Sequence, residues 1–198
     1  MNAITIAPHF VDPVHQSQRA FRGILTALAR PGRIVEVCAP AGLPPRMEGA
    51  VAAIVLTLLD HDTPLWLDPA FLTEEIRRYL RYHTGAPRVV ELAEAAFALI
   101  GQPGDMPPLD AFAPGEPAYP DRSATLVLQL PSLEGGQSVI LSGPGIEHEI
   151  EAAPAGLPEW FWPAWNANAE RYPLGVDAFL ASGNRVMGLP RTARATIR

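Results

Sequence analysis

Residues 56–87, which read LTLLDHDTPLWLDPAFLTEEIRRYLRYHTGAP, predict the alternation of helix and strand that decides the fold. The apolar run that ends in this stretch predicts a buried helix over 44–59. Residues 63–67 predict a short buried strand, and Thr73 is a suitable N-cap for a helix over 73–82. A helix, a strand and a second helix in succession are typical of α/β proteins.

The same alternation continues on both sides of this stretch. Residues 17–30 predict an amphipathic helix, and its core-facing stripe consists of Phe21, Ile24, Leu25 and Leu28. The other predicted elements are strands at 33–37, 95–100 and 146–150, a hairpin of 125–130 with 138–141, a helix at 158–171, and a closing hairpin over 176–189. We therefore expect one domain over 1–198, with an α/β fold and a mixed sheet.

Residues 101–121 form the longest stretch without a helical or strand-like pattern. The stretch contains six prolines. Loops of this length are uncommon in compact domains, so it is a candidate lid or partner-binding segment. The alternative is a loosely ordered surface loop.

Composition excludes several classes of function. All fifteen basic residues are Arg, so the chain has no Lys for a pyridoxal phosphate Schiff base or for a Walker phosphate loop. The net charge of −6 argues against nucleic-acid binding, although a chain with this net charge can still carry a local basic patch. No apolar run approaches the length needed to cross a bilayer.

Two further features favour a cytoplasmic protein. The first thirteen residues lack the charged region and apolar core of a signal peptide. Cys38 is the single cysteine, so neither a disulfide framework nor a cysteine metal site is expected.

Polar residues interrupt the apolar pattern of 56–87 in two places, which suggests a site or an interface. The first place is Asp60-His61-Asp62-Thr63, and the second contains Arg81, His83 and Thr84. Asp and His are metal-ligand types, but their spacing matches no defined motif, so we expect no metal here. The alternative is that Asp60 or Asp62 accepts hydrogen bonds from backbone donors between helix and strand.

Three more places carry candidate site residues. The turn of Ser142, Gly143, Pro144 and Gly145 could present backbone N–H groups to an anion, or it is a plain turn. Arg191 with Thr192 suits phosphate or carboxylate binding, and the alternative is a salt bridge at the domain edge. Arg22 follows a predicted core residue, and an exposed helix charge is its simplest interpretation. No complete catalytic set emerges from these residues.

Five segments, in this order and spacing, resemble the PhnH subunit family of the bacterial carbon–phosphorus lyase system. They are FRGILTALARPG at 21–32, LTLLDHDTPLW at 56–66, LRYHTGAP at 80–87, LSGPGI at 141–146, and YPLGVD at 172–177 together with GLPRT at 188–192. The resemblance covers about residues 15–194. His61 departs from the pattern, in which Asn also occurs between the two Asp residues.

The resemblance implies a three-layer α/β/α sandwich similar to pyridoxal phosphate-dependent transferases, but without that cofactor. It also implies a homodimer that joins PhnG, PhnI and PhnJ in a core complex, with PhnK and PhnL as associated partners. With PhnG, PhnI and PhnL, such a subunit is required to transfer the ribose triphosphate of ATP to an alkylphosphonate, which displaces adenine. The resemblance brings no catalytic residue set with it.

Three hypotheses follow. The first is a non-catalytic or co-catalytic subunit of this transferase assembly. The second is an independent small enzyme or phosphate-ester binder, which requires Asp60, Asp62, Arg81, His83 and Arg191 to converge on one pocket. The third is a pure scaffold, in which the two polar segments of 56–87 serve only dimer or subunit contacts.

Overall fold

The computed structural model describes residues 10–198. The expectation that the N-terminus is not a signal peptide rests mainly on residues 1–9, which lie outside the described part. The helices are α1 (Pro13–Ala29), α2 (Gly49–Leu58), α3 (Glu74–His83) and α4 (Phe161–Glu170). The strands are β1 (Ile34–Glu36), β2 (Leu65–Leu67), β3 (Phe97–Ile100), β4 (Pro114–Glu116), β5 (Tyr119–Ser123), β6 (Thr125–Gln129), β7 (Val139–Ser142), β8 (Ile150–Ala152), β9 (Asp177–Ser182), β10 (Arg185–Leu189) and β11 (Arg194–Ile197).

A six-stranded mixed sheet runs through the centre of the molecule in the order β1-β10-β9-β6-β3-β2. Strands β2, β3, β6 and β9 pair in parallel, whereas β10 is antiparallel to both of its neighbours. The mixed α/β class and the β9–β10 hairpin are therefore confirmed. Among residues 10–198, no helix combines the length and the apolar character needed to span a membrane.

The predicted hairpin of 125–130 with 138–141 is wrong. Strand β6 lies inside the six-stranded sheet, between β3 and β9, whereas β7 belongs to a separate three-stranded sheet in the order β11-β7-β8. The three central residues of β6 are all buried, because helices or strands cover both faces of this sheet. Such a strand has consecutive apolar residues and gives no alternation from which its partner can be predicted.

Two other expectations need correction. Residues 101–121 are not without structure, since they contain two 3₁₀ turns (Pro103–Asp105 and Leu109–Ala111), strand β4 and the start of β5, which pairs with it. The predicted strand at 146–150 begins only at Ile150. Leu109 and Phe112 are buried, so part of the predicted lid packs into the core instead.

The two faces of the central sheet are covered by different elements. Helices α1, α2 and α3 pack on one face, where Leu99 of β3 contributes to their apolar cluster. Helix α4 and the three-stranded sheet pack on the other face, which receives Ala98 and Ile100 from the same strand. The alternation along β3 follows from the pleat of a strand.

Helix α1 faces the sheet with only part of the predicted stripe, since Ile24 is buried and Leu28 packs against the core. Its buried residues are Ala20, Ile24 and Ala27, whereas Phe21 and Leu25 are exposed by 46% and 53%. The reason is the close approach of the helix to β10, where a methyl group on Gly188 would collide with the carbonyl of Ala27. Close contact of two backbones requires a small side chain at the point of contact, which Ala27 provides, whereas Phe21 and Leu25 lie on the exposed side of the helix.

Candidate functional site

Asp60 begins a tight turn that is held by hydrogen bonds to the Asp60 side chain. Its Oδ1 accepts hydrogen bonds from the backbone N–H of Asp62 at 3.0 Å and from the hydroxyl of Thr63 at 2.7 Å. The Thr63 hydroxyl, followed by the Asp62 N–H, lowers the pKa of the Asp60 carboxyl because both bonds favour the charged form. The interpretation of Asp60 as an acceptor for backbone donors between helix and strand is confirmed.

The two polar segments of 56–87 are neighbours in the structure. A methyl group on Gly85 would lie 3.5 Å from the Cβ of His61, so the Asp60 turn rests beside the end of α3. Thr84 closes that helix by donating from its hydroxyl to the Leu80 carbonyl at 2.8 Å. The His83 ring packs against the Tyr79 ring, with centroids 4.5 Å apart and planes tilted by 58°. Among residues 10–198, no three His, Cys, Asp or Glu side chains are grouped closely enough to hold a metal ion.

Arg191 lies elsewhere, and all five of its side-chain N–H groups have acceptors. Nε and one terminal nitrogen donate to the two carboxylate oxygens of Asp177 at 3.1 and 2.5 Å, and Ser123 accepts from that same terminal nitrogen. The other terminal nitrogen donates to the carbonyls of Pro120 and Pro173. Of the two interpretations of this arginine, the structure shows the salt bridge, and no donor is left for an external anion.

The turn of Ser142 to Gly145 packs closely against two other segments. Gly145 has a φ of 86°, and a side chain there would collide with the carbonyl of Ala29. A methyl group on Gly143 would lie 2.7 Å from the carbonyl oxygen of Thr192. The turn therefore joins the end of α1 to the segment after β10, and both glycines are needed for this close approach.

The candidate residues do not converge on one pocket. Arg22 is exposed on α1, Arg191 and Thr192 lie beside the 142–145 turn, and Asp60 and Asp62 lie beside the end of α3. Arg81 lines a cavity of about 710 Å³ between α3 and the edge of β2. This arrangement does not meet the requirement of the independent-enzyme hypothesis.

The cavity is the part of the site that sequence reasoning missed. Its charged lining residues are Glu74, Arg77, Arg78, Arg81 and Arg88. Arg77 and Arg78 each lie one helical turn before Arg81 on α3, so the three side chains share one side of the helix, which is a usable signal in the sequence. Arg88 comes from beyond the helix, and no local pattern connects it with α3.

Comparison with known proteins decides the family. A family model described as bacterial phosphonate metabolism protein (PhnH) matches residues 8–196. The chain belongs to the PhnH family. Its relatives include the alpha-D-ribose 1-methylphosphonate 5-triphosphate synthase subunit PhnH of Rhizobium meliloti (strain 1021). That relative is 42% identical over 185 residues, which cover 93% of this chain and 92% of the relative.

A second relative of this PhnH-family chain is a putative C-P lyase subunit protein, HtxG, of Stutzerimonas stutzeri. It is 32% identical over 190 residues, which cover 92% of this chain and 87% of the relative. Both alignments extend over nearly whole chains. The resemblance drawn from the five sequence segments is therefore confirmed.

The pKa of Asp60 provides a direct test of the turn. We expect Thr63→Val to raise the pKa of the Asp60 carboxyl toward its ordinary value, because the hydroxyl that favours the charged form is lost. An NMR titration of the Asp60 side-chain carbon measures this shift. Thr26→Val on α1 is the control and should leave the Asp60 titration unchanged. An unchanged pKa in Thr63→Val would show that this hydroxyl does not bond Asp60 in solution.

Proposed function

We propose that this chain is a subunit of a carbon–phosphorus lyase assembly in organic phosphonate catabolism, without turnover of its own. The names of both relatives support this role, since one is a synthase subunit and the other a putative C-P lyase subunit. The family resemblance implies the reaction that the assembly performs. With PhnG, PhnI and PhnL, the subunit is required to transfer the ribose triphosphate of ATP to an alkylphosphonate.

The exposed apolar face of α1 is the structural observation that carries the proposal. Val14, Phe21 and Leu25 lie on one side of the helix and are exposed by 74%, 46% and 53%. Apolar side chains gathered on one exposed face are characteristic of protein interaction sites. No converging set of catalytic side chains competes with this interpretation among residues 10–198, because the candidates lie in separate places.

The proposal includes the partners that the resemblance implies. They are a second copy of this chain in a homodimer, the PhnG, PhnI and PhnJ subunits of a core complex, and PhnK and PhnL as associated proteins.

A cytoplasmic location fits the predicted features of the sequence. We also propose a three-layer α/β/α sandwich related to pyridoxal phosphate-dependent transferases, and the missing Lys agrees with the absence of that cofactor.

Introducing a negative charge on the exposed apolar face of α1 tests its role in assembly. We expect Phe21→Glu and Leu25→Glu each to reduce co-purification with tagged partner subunits by about tenfold or more, because burial of a lone carboxylate opposes docking. The melting temperature should change little, since both side chains already face solvent. Thr26→Glu adds the same charge outside the apolar face and is the matched control.

Two results would contradict the proposal in different ways. Full assembly by both Glu variants would exclude α1 as the docking surface. Turnover of ATP and methylphosphonate by the purified chain alone would exclude the role of a subunit without activity of its own. A chain that assembles with its partners and shows no turnover alone agrees with the proposal.

A further inference from the structure

A cavity of about 710 Å³ lies between the exposed face of α3 and the outer edge of β2. Its volume is within the range of small-molecule sites. The apolar part of the lining consists of Leu65, Leu67, Leu80 and Ala86. Four arginines and one glutamate supply the charge, so the cavity combines an apolar floor with a strongly basic rim.

The charges around this cavity oppose the charge of the whole chain. Four arginines face one carboxylate, Glu74, although the chain carries a net charge of −6. Glu74 forms ion pairs with Arg77 at 2.6 Å and with Arg78 at 3.8 Å. Its carboxylate therefore offsets positive charge only in the part of the cavity near the start of α3. Among residues 10–198, Arg81 and Arg88 have no ion pair with a carboxylate. An uncompensated pair of guanidinium groups at one cavity favours an anionic ligand.

The arginines approach the cavity from two walls. Arg77, Arg78 and Arg81 lie on α3, and Arg88 lies on the segment that follows this helix. That segment is fixed to the edge of β2, because the N–H of Leu65 donates to the Pro87 carbonyl at 2.8 Å. The N–H of Val89 donates to the Leu65 carbonyl at 2.9 Å. A ligand between the walls can therefore contact guanidinium groups from both sides.

The outer edge of β2 adds a backbone donor. The N–H of Asp68 donates to Leu99 of β3, whereas Leu65 bonds outward to Pro87. Because successive residues of a strand bond to opposite sides, Leu67 presents its N–H to the same outer edge as Leu65, and Leu67 also lines the cavity. Among the backbone bonds of residues 10–198 outside the ladders, none involves Leu67.

We propose that this cavity, named here the arginine cleft, binds an oligophosphate group. Guanidinium groups donate pairs of parallel hydrogen bonds to phosphate oxygens, and several arginines on two walls match a chain of phosphates better than a single one. The choice of ligand rests on the proposed function, since the name of the Rhizobium relative includes a 5-triphosphate product. The inference deepens that function by assigning the triphosphate to this subunit.

Calorimetric titration of the full-length protein with inorganic tripolyphosphate tests the cleft. We expect saturable binding that weakens as salt is added, because the arginines are partly exposed. Arg81→Gln and Arg88→Gln should each weaken binding by about tenfold, the usual effect of one charge-assisted contact. Arg33→Gln removes an exposed arginine outside the cleft and should leave the affinity unchanged. Absence of saturable tripolyphosphate binding, or equal affinity in all three variants, would overturn the inference.

An acidic protein segment is the rival occupant. A peptide of ten glutamates serves as its probe, and tighter binding of this peptide than of tripolyphosphate, lost in Arg81→Gln, would overturn the oligophosphate assignment. Co-purification of the same variants with partner subunits separates the two proposals. A wild-type chain that assembles without binding tripolyphosphate contradicts only the cleft. A chain that binds tripolyphosphate but does not assemble contradicts only the subunit role.

Discussion

Arg191→Ala should lower the free energy of unfolding by about 3 kcal/mol or more. The Arg191 side chain is only 12% exposed, and that of its partner Asp177 only 21%. Truncation leaves that carboxylate without its partner cation, and it removes the donors of the Pro120 and Pro173 carbonyls. The free-energy cost of leaving these polar groups unpaired exceeds the small gain in side-chain entropy, which arises because alanine has no long side chain to immobilise on folding.

Urea denaturation of the full-length protein measures this loss. Arg185→Ala is the matched control, because Arg185 contacts Glu134 at 3.1 Å while the two side chains are 44% and 67% exposed. Exposed pairs of this kind contribute about 1 kcal/mol at most. Equal losses in the two variants would mean that Arg191 does not hold its network in solution, and its anion-binding interpretation would then regain support.

The parts of the fold that depend on neighbouring residues were predictable. Thr73 caps α3 as expected, since its Oγ1 accepts from the N–H of Ile76 at 3.3 Å. The β9–β10 hairpin turns at Gly183, which has a φ of 59°. The Asp60 turn is equally local. In each case the residues that determine the structure lie within four positions of one another.

The parts that depend on distant residues were not predictable from one sequence. Strand β6 pairs with β3 and β9, which lie roughly 30 and 50 residues away, and its buried run does not indicate a partner. Arg191 donates a hydrogen bond to Ser123, which lies 68 positions earlier in the sequence. The arginine cleft joins one helix to a segment that only the packing of β2 places beside it.

The orientation of α1 shows how one contact outweighs a helical pattern. Apolar periodicity alone placed Phe21 and Leu25 in the core. Gly188 of β10 admits the backbone of α1 closely at Ala27, and the helix then buries Ile24 while Phe21 and Leu25 remain on the surface. The candidate docking face therefore depends on a glycine on another element.

Gly188→Ala should lower the free energy of unfolding by about 2–3 kcal/mol. The new methyl group would lie 2.5 Å from the carbonyl carbon of Ala27 and from the N–H nitrogen of Leu28, so α1 must move away from the sheet. Two effects oppose each other, because replacing a glycine inside a strand gains about 0.5–1 kcal/mol of backbone entropy. The collision with backbone atoms is the larger effect, since no flexible side chain can yield.

Gly104→Ala is the matched control, because no atom lies within 4 Å of the position that its methyl group would take. We expect a change of at most about 0.5 kcal/mol there, measured by the same urea titration. The Gly188 variant should also assemble less with partner subunits, since displacement of α1 displaces Phe21 and Leu25. Native stability in Gly188→Ala would contradict the close packing of α1 on β10. If Gly188→Ala lost stability but still assembled fully with the partner subunits, the docking surface would not lie on α1.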